Sequence, residues 1–369
     1  MTMPTRRTIL KGGLALTALP ALSGLAFGQE KLKVGFAYLA VPGDYGWTYA
    51  HDVGANDLAA ALGDRVEVTK VENAGEAGPN VERVLRELAQ QGHKLIFATT
   101  FGHMEAAVKV SAEFPDVIFE HCTGFMTGPN LGTYNARFYE GRAVIGTIAG
   151  HMSKKGVAGY IASFPIPEVV MGMNAFLLAA RKVNPDFVLK AAYISTWFDP
   201  DKERAQAQAF IDQGCDFITQ HTDSPAPVEL CERLGVNCFG QASDMAQFGP
   251  EHCLTSIVDN WGPHYIKTAE AVLAGTWTPQ QPWDGLKEGG LVIPAYNKNV
   301  PADVVAAADA VKNGQIDGSF HIFRGPLELK NRQNPDNPQL DISIADGVAP
   351  DDGVLLGMQA YADGVEVVI

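Results

Sequence analysis

The chain has 369 residues, with 28 basic and 42 acidic side chains and a formal net charge of −14. This acidic balance argues against nucleic acids and anionic membrane surfaces as partners, because both carry negative charge themselves. The length is sufficient for one large or two ordinary α/β domains.

Residues 1–28 have the organisation of an export signal. Arg6 and Arg7 precede the apolar stretch LALTALPALSGLAF, which leads to the small residues that flank Phe27. This order predicts a twin-arginine signal peptide rather than a membrane span. Since no cysteine stands near the cleavage site, we expect a lipid-free, soluble protein in the periplasm. Its net charge would be near −17, because three basic residues leave with the signal.

Short β-branched runs alternate with helical patterns along the first half of the mature chain. The predicted strands are KVGFAYL from Lys33, VEVTKV from Val66, KLIFAT from Lys94 and DVIFEHC from Asp116. Between the second and third strands, one helical face is predicted by apolar residues at i, i+3, i+4 and i+7: Val81, Val84, Leu85 and Leu88. Asn80 is placed to cap this helix. The alternation predicts right-handed βαβ units and a parallel sheet.

A second series of the same kind begins with GVAGYIASF at Gly156. One of its helices is opened by Asp199 as the N-cap, with Pro200 at the first helical position. We therefore expect an α/β protein with two Rossmann-like lobes, whose parallel sheets are joined by a hinge. The predicted division gives residues 31–155 and about 255–285 to lobe 1, residues 156–254 and about 286–330 to lobe 2, and leaves the lobe of residues 331–369 open.

Five cysteines are scattered through the sequence: Cys122, Cys215, Cys231, Cys238 and Cys253. No CxxC motif occurs among them, so a zinc or redox motif is not supported. We expect them to be small, buried apolar residues. A Cys231–Cys238 disulfide is the alternative that an oxidising compartment would permit.

Two tryptophans occupy equivalent places in the two predicted lobes. Trp47 follows a strand of lobe 1, Trp197 follows a strand of lobe 2, and each precedes a helix. Ligands of open α/β sheets bind beyond the carboxyl ends of the strands, so the indoles would face each other. Either tryptophan alone could instead close the end of its own sheet. The matched pair favours a slot for a flat ligand, since stacking contributes about 1–3 kcal/mol per base.

Other residues follow the ends of predicted strands on the same edge. The candidates for ligand contacts are Tyr45, Thr48, Phe101, Gly102, Glu168, Gln241, Asp244 and Asp259. Asp244 is the best candidate for a hydrogen bond to the ligand, because no long helix that it could cap clearly follows it. His51 and His121 are predicted to be structural.

Motifs of catalytic sites are mostly absent from the sequence. It contains neither a GxSxG elbow nor a GxxxxGK[ST] loop. His103-Met104-Glu105 matches the H-x-E of nucleobase deaminases, but the accompanying P-C-x-x-C is missing. We therefore expect a binding protein without enzymatic activity, catalytic metal or cofactor.

Seven segments together carry a family resemblance: KVGFAYLAVPGDYGWTYAHD, RFYEGRAVIGTIAG, GVAGYIASFPIPEV, FDPDKE, ITQHTDS, FGQASDM and TSIVDNWG. They are similar, in this order from about Lys33 to about Gly275, to the basic membrane protein family. Its members are substrate-binding proteins of ABC importers for purine nucleosides and related compounds. The resemblance implies a type I periplasmic-binding-protein fold, with three hinge strands and a purine between two aromatic rings.

Residue by residue, the resemblance places the family's two stacking phenylalanines at Trp47 and Trp197, and an asparagine at Thr48. Its ribose-binding Asp and Lys correspond to Ala242 and Asp259, so both sugar partners are missing. Each such charge-assisted hydrogen bond is worth about 1.5–3 kcal/mol. We therefore expect the ligand to be a free, adenine-like purine nucleobase.

The same resemblance implies capture by hinge closure, followed by docking on an ABC permease of the inner membrane. We expect the protein to act as a monomer. Three alternatives remain open from the residues alone. They are a purine nucleoside receptor, a receptor for a sugar or another polar solute, and a purine hydrolase or deaminase.

Overall fold

The computed structural model describes residues 30–332 and 337–368, so the predicted signal peptide lies outside the described residues. From Lys31 onward the chain forms one compact unit. Every helix in the described part of the chain is too short or too polar to cross a membrane.

Strands and helices alternate through most of this unit. The strands are β1 (Leu32–Ala37), β2 (Val66–Val71), β3 (Leu95–Ala98), β4 (Ile118–Cys122), β5 (Leu131–Ala136), β6 (Val157–Ala162), β7 (Val188–Tyr193), β8 (Phe217–Gln220), β9 (Asn237–Ala242), β10 (Cys253–Asp259), β11 (Trp283–Asp284), β12 (Leu291–Val292), β13 (Leu327–Lys330), β14 (Ile342–Ile344), β15 (Tyr361–Ala362) and β16 (Val365–Val368). The α-helices are α1 (Gly46–Leu62), α2 (Pro79–Gln90), α3 (Met104–Glu113), α4 (Phe138–Met152), α5 (Pro167–Arg181), α6 (Pro200–Asp212), α7 (Ala226–Leu234), α8 (Gly262–Leu273), α9 (Ala302–Asp317) and α10 (Asp352–Leu356).

Each lobe is built around one sheet. The first sheet is parallel throughout, with the strand order β11-β5-β4-β3-β1-β2. The second has the order β12-β10-β9-β8-β6-β7-β16, in which β12 runs antiparallel to β10. Central strands such as β3 are buried along their whole length, as expected for parallel strands covered on both faces. A third sheet is small and antiparallel, with the strand order β14-β13-β15.

The chain crosses between the lobes three times, after β5, after β10 and after β11. The crossing segments are joined by backbone hydrogen bonds, from Arg137 N to Asp284 O at 2.8 Å and from Asn260 N to Gly290 O at 3.0 Å. Two lobes with parallel sheets and three neighbouring crossings constitute the type I periplasmic-binding-protein fold, which confirms the predicted fold class.

The predicted division between the lobes is wrong in two places. Helix α4 packs against α5 and α9, so the first lobe-1 segment ends near Arg137 and not at residue 155. Strand β10 pairs with β9 in the second sheet, whereas the prediction gives residues from about 255 to lobe 1. The apolar pattern identifies β10 as a strand, but its neighbour in the sheet is set by non-local packing. In the tail, β16 pairs with β7 and extends the second sheet.

Two predicted helix starts have different outcomes. Asp199 caps α6 by accepting a hydrogen bond from Lys202 N at 3.1 Å, with Pro200 at the first position, as predicted. The cap predicted for α2 is wrong, because the helix begins at Pro79 and Asn80 lies inside it. The Asn80 amide instead donates to the carbonyl groups of Asn73 and Ala74 in the preceding loop. The predicted apolar face of α2 is buried, which confirms the helical spacing.

All five cysteines are buried and unpaired, which confirms the expected apolar role. Cys231, Cys238 and Cys253 belong to one hydrophobic cluster of the second lobe. Burial raises the pKa of the Cys238 thiol well above its ordinary value. The alternative Cys231–Cys238 disulfide is not formed.

Helices α4 and α5 pack with their backbones almost in contact. A Cβ atom added to Gly146 would lie 2.3 Å from the carbonyl oxygen of Phe176, and one added to Gly150 would lie 2.6 Å from that of Ala180. Two glycines one helical turn apart therefore allow a closer approach than any side chain would permit.

Gly146→Ala is therefore expected to destabilise the protein by about 1–3 kcal/mol, because the methyl group must push two buried helices apart. The measurement is the free energy of unfolding in urea. Gly128→Ala is the matched control, since its added Cβ would meet only Leu131 Cβ at 3.6 Å. Equal stability of the two variants would contradict this account of the helix contact.

Candidate functional site

The carboxyl ends of strands from both sheets enclose one pocket between the lobes. The space is about 370 Å³, counting its mouth toward solvent. Its walls come from loops after β1, β3 and β4 in the first lobe and after β6, β7 and β8 in the second. The lining residues are Leu39, Trp47, Thr100, Phe101, Thr123, Glu168, Trp197, His221, Asp223 and Gln241.

Trp47 is the second residue of α1, whereas the sequence suggested that it precedes the helix. Its indole N–H donates to Thr99 O at 2.6 Å, which fixes the polar end of the ring inside the protein. The ring also packs edge-on against His51 and Trp261, with centroid distances of 4.8 and 5.5 Å. The indole is therefore held rigidly while it lines the pocket.

Trp197 reaches the same pocket from the opposite lobe, on the loop between β7 and α6. Its indole lies close enough to Glu76, a residue of the first lobe, to favour the charged form of that carboxyl group. The Glu76 carboxylate accepts hydrogen bonds from Thr100 Oγ1 at 3.0 Å and from Gly102 N at 2.9 Å. Burial raises the pKa of Glu76, and these two donors and Trp197 oppose that increase.

Further contacts between the lobes surround the start of α1. Gly46 N donates to Ser243 Oγ at 2.8 Å, and the ring of Tyr45 packs edge-on against Phe248 at 5.3 Å. Gly46 has φ +78°, and a Cβ atom there would lie 2.8 Å from Asp223 O. Glycine is thus required twice at this position, for its conformation and for the close approach of the lobes.

The second lobe places several buried acidic groups at or behind the pocket. The pKa of Asp223 is raised well above its ordinary value by burial and by the nearby Glu203 and Glu76. Asp259 lies behind the wall, and neither of its carboxylate oxygens has a hydrogen-bond partner. Burial, Asp223 and Glu168 raise the pKa of Asp259 as well.

Arg142 is the buried cation of this region. Its guanidinium donates to Gln241 Oε1 and, at 3.2 Å, to Thr219 Oγ1. It lies close enough to Asp259 and Glu168 to interact with them electrostatically. Burial lowers the pKa of Arg142, and the two carboxyl groups oppose this decrease. The cation therefore offsets part of the acidic charge at the end of the second sheet.

His221 stands between the aromatic and the acidic parts of the wall. Its Nδ1 lies 3.1 Å from the Tyr160 hydroxyl, and its Nε2 lies 3.5 Å from Glu168 Oε1. Burial and then Arg142 lower the pKa of this histidine. A neutral imidazole leaves the Glu168 carboxylate available as an acceptor at the pocket surface.

The candidate residues from the sequence fall into three groups. Lining the pocket are Trp47, Phe101, Glu168, Trp197 and Gln241. Tyr45 and Thr48 line an adjoining space of about 440 Å³ that shares Leu39, Trp47 and Asp223 with the pocket. Three others are not among the lining residues: Gly102, Asp244 and Asp259.

Asp244 is exposed, and its carboxylate accepts a hydrogen bond from Ala246 N at 3.0 Å. The sequence suggested a ligand contact because no long helix follows, but a single 3-10 turn over residues 246–248 does follow, and the Asp244 carboxylate bonds the N–H of its first residue. Gly102 does not line the pocket itself, and its N–H donates a hydrogen bond to the Glu76 carboxylate. His51 and His121 are buried and make internal contacts, with Tyr265 Oη at 2.5 Å and Thr100 O at 2.8 Å.

Five lining residues were not among the candidates: Leu39, Thr100, Thr123, His221 and Asp223. Part of their signal is present in the sequence. Thr100 and Thr123 directly follow the predicted strands KLIFAT and DVIFEHC, and Leu39 is the last residue of KVGFAYL. His221 and Asp223 come after β8, in the polar segment HTDS. Among the described residues, no group of three or more His, Cys, Asp or Glu side chains is arranged to hold a metal ion.

A family model for PnrA-like ABC transporter substrate-binding proteins, named Bmp, matches residues 31–322. The chain belongs to the Bmp family. This confirms the family predicted from the seven segments. Bmp proteins are substrate-binding components of ABC transporters, so the family implies a small-molecule ligand and a permease partner.

Two relatives and one solved structure illustrate the range of similarity to this Bmp protein. A purine-binding protein of Brucella abortus is 50% identical over 94% of this chain and 96% of its own length. A putative ABC transporter glucose-binding protein of Haloferax volcanii is 36% identical over 78% of this chain and 74% of its own. The structure of a solute-binding protein from Aeropyrum pernix has a TM-score of 0.66 and 18% identity, with coverage of 84% and 95%, and it supports the fold alone.

Glu203 joins the two loops that carry Trp197 and Asp223. Its carboxylate accepts hydrogen bonds from Asp199 N at 2.9 Å and from Ser224 N at 3.1 Å. The side chain is fully buried, and burial raises its pKa to about 7. Glu203 therefore sets the positions of the two loops while it remains outside the pocket.

Between about pH 4.5 and 7, folded Glu203 keeps a proton that the unfolded chain has lost, so this residue's contribution to stability falls as the pH rises through that window. Glu203→Gln is neutral at every pH and should reduce the slope of unfolding free energy against pH. Urea unfolding at several pH values between about 4.5 and 7 measures this slope. Glu105→Gln, on the exposed side of α3, is the control and should retain the wild-type slope. A wild-type slope in Glu203→Gln would show that this carboxyl does not titrate as described.

Proposed function

We propose that this Bmp protein is the periplasmic receptor of an ABC importer and captures an adenine-like purine nucleobase between Trp47 and Trp197. The observation that carries the proposal is that two indoles, one from each lobe, line the same pocket. The Trp47 N–H is bonded to a backbone carbonyl, and Trp197 interacts with Glu76, so the ring faces are available for stacking. The purine-binding relative at 50% identity supports the same ligand class.

The polar wall favours a ligand with N–H donors. Glu168 and Asp223 line the pocket, and carboxyl oxygens of either protonation state can accept hydrogen bonds from amino and ring N–H groups. The raised pKa of Asp223 also allows its protonated carboxyl to donate a hydrogen bond to a ring nitrogen. Adenine presents both an amino group and ring acceptors, so it suits this combination.

The positions at which the family holds a ribose support a free base over a nucleoside. Ala242 is fully buried and has no polar side chain. Asp259 lies behind the pocket wall rather than among its lining residues, without a hydrogen bond to either oxygen. Neither residue supplies the sugar contact of the nucleoside-binding branch. A purine nucleoside is the second candidate, and it would require a rebuilt sugar site.

Capture would proceed by closure of the two lobes about the three crossings. The base stacks on one indole in the open form, and the second indole arrives with the other lobe. Closure expels water and strengthens the hydrogen bonds in the plane of the base. The closed form then docks on the permease. Export by the twin-arginine route and action as a monomer belong to the same proposal.

Trp47→Ala and Trp197→Ala are each expected to weaken adenine binding about 5- to 150-fold, because each removes one stacking face worth about 1–3 kcal/mol. Isothermal titration of the mature protein, refolded after removal of any bound ligand, measures the affinities. Trp277→Ala is the control, since its indole donates to Glu120 at 2.7 Å and does not line the pocket. Unchanged affinity in both pocket variants would contradict the two-indole slot.

Adenine is expected to bind at least about tenfold more tightly than adenosine, because the ribose would meet no charged partner. The same titration with adenosine and glucose separates the alternatives. Equal affinity for adenosine would identify a nucleoside receptor, and binding of glucose alone would identify a sugar receptor. Ultraviolet absorbance of ligand released from the freshly purified protein gives an independent reading. Conversion of adenine or adenosine on long incubation would point to a hydrolase or deaminase.

A further inference from the structure

A second, larger chamber adjoins the purine pocket. Its space is about 1210 Å³, counting the mouth, against about 370 Å³ for the pocket. Phe101, Thr123 and Glu168 line both spaces, so a ligand in the pocket borders the chamber directly. The chamber is enclosed by the loop between β4 and β5, the start of α5, the segment before β11 and helix α10.

Several of the polar side chains on the chamber wall are engaged within the protein. Thr123 Oγ1 donates to Cys122 O at 2.7 Å, and Asn135 Oδ1 accepts from Ala136 N at 2.7 Å. Asp352 is held by two hydrogen bonds from Arg137, at 2.9 and 2.8 Å. Groups that are already paired offer little to a polyhydroxylated ligand, which needs a partner for each buried hydroxyl.

Most of the other lining side chains are apolar. They include Phe125, Ile166, Pro167, Met171, Trp283 and Leu356, while Thr133 and Gln281 add polar groups. Phe125 is 66% exposed and Leu356 is 50% exposed, so apolar side chains also stand at the mouth. Surface of this kind gains free energy when an apolar group covers it.

We propose that this chamber is a subsite for an apolar substituent, alkyl or aryl, carried by the purine base in the pocket. The proposal rests on the proposed function, because the base must occupy the pocket for its substituent to reach the chamber. The shared wall at Phe101, Thr123 and Glu168 gives the substituent its route. The open, apolar mouth accepts substituents of different length. The protein therefore binds substituted purines as well as the parent base.

The test is isothermal titration of the mature protein with adenine, N6-benzyladenine and 9-benzyladenine. At least one benzyl derivative should bind about tenfold more tightly than adenine, because the phenyl ring covers apolar surface in the chamber. Leu356→Trp fills part of the chamber. It should weaken binding of the benzyl derivative at least about fivefold and leave the affinity for adenine unchanged. Val354→Trp is the matched control on the same short helix, since Val354 is exposed and does not line the chamber.

The outcomes separate this inference from the proposed function. If adenine binds and both benzyl derivatives bind more weakly than adenine, the substituent subsite is wrong and the purine receptor stands. If Leu356→Trp weakens adenine and the benzyl derivative equally, or if Val354→Trp has the same effect as Leu356→Trp, the chamber is not a separate subsite. Failure of all three ligands to bind overturns the purine receptor itself.

Discussion

The pocket depends on the carboxylate of Glu76, which lies where the two lobes meet. It fixes the loop after β3 through Thr100 and Gly102, and it interacts with Trp197, which the second lobe brings to the pocket. Buried hydrogen bonds to a carboxylate are strong, but desolvation of Glu76 opposes them. In the proposed function, a ligand that touches both tryptophans adds contacts that an open form cannot make, and this differential affinity would drive closure.

Backbone strain is concentrated around the same pocket. Among the described residues, four that are not glycine have φ between +56° and +61°, namely Asn73, Thr123, Ser195 and Ala242. Each lies at or just beyond the carboxyl end of a strand. A left-handed conformation costs roughly 1–2 kcal/mol per residue. The surrounding packing stabilises it, and the chain gains an abrupt change of direction at the end of the strand. These turns place Thr123 in the wall and direct Asp244 outward, two residues beyond Ala242.

Local sequence patterns could predict most of the strands, the helical face of α2, the cap at Asp199 and the fold class, because each depends on residues close in the chain. The positions of Trp47 and Trp197 at strand ends likewise pointed to residues that line one pocket. Asp244 was predicted to contact the ligand but is exposed, because the chain reverses direction at Ala242. The positive φ of this reversal could not be predicted from an alanine in the sequence. Glu76 was not predicted as part of the site, because it lies several residues beyond a strand and interacts with Trp197 of the other lobe. The sheet that accepts β10 is decided by long-range pairing, which periodicity does not encode.

The pocket and the chamber differ in how firmly their walls are held, and this difference determines what each can discriminate. The indole of Trp47 is fixed by a hydrogen bond to Thr99, and that of Trp197 packs against Phe164 and His221, so a base of the wrong shape would meet walls that adapt little. Phe125 lies on a loop and Leu356 on a five-residue helix, both largely exposed. Walls of this kind adjust to different apolar groups at little cost. Under the proposed function, strict recognition of the base would therefore combine with tolerance of its substituent, since rigid and adaptable surfaces lie side by side in one cleft.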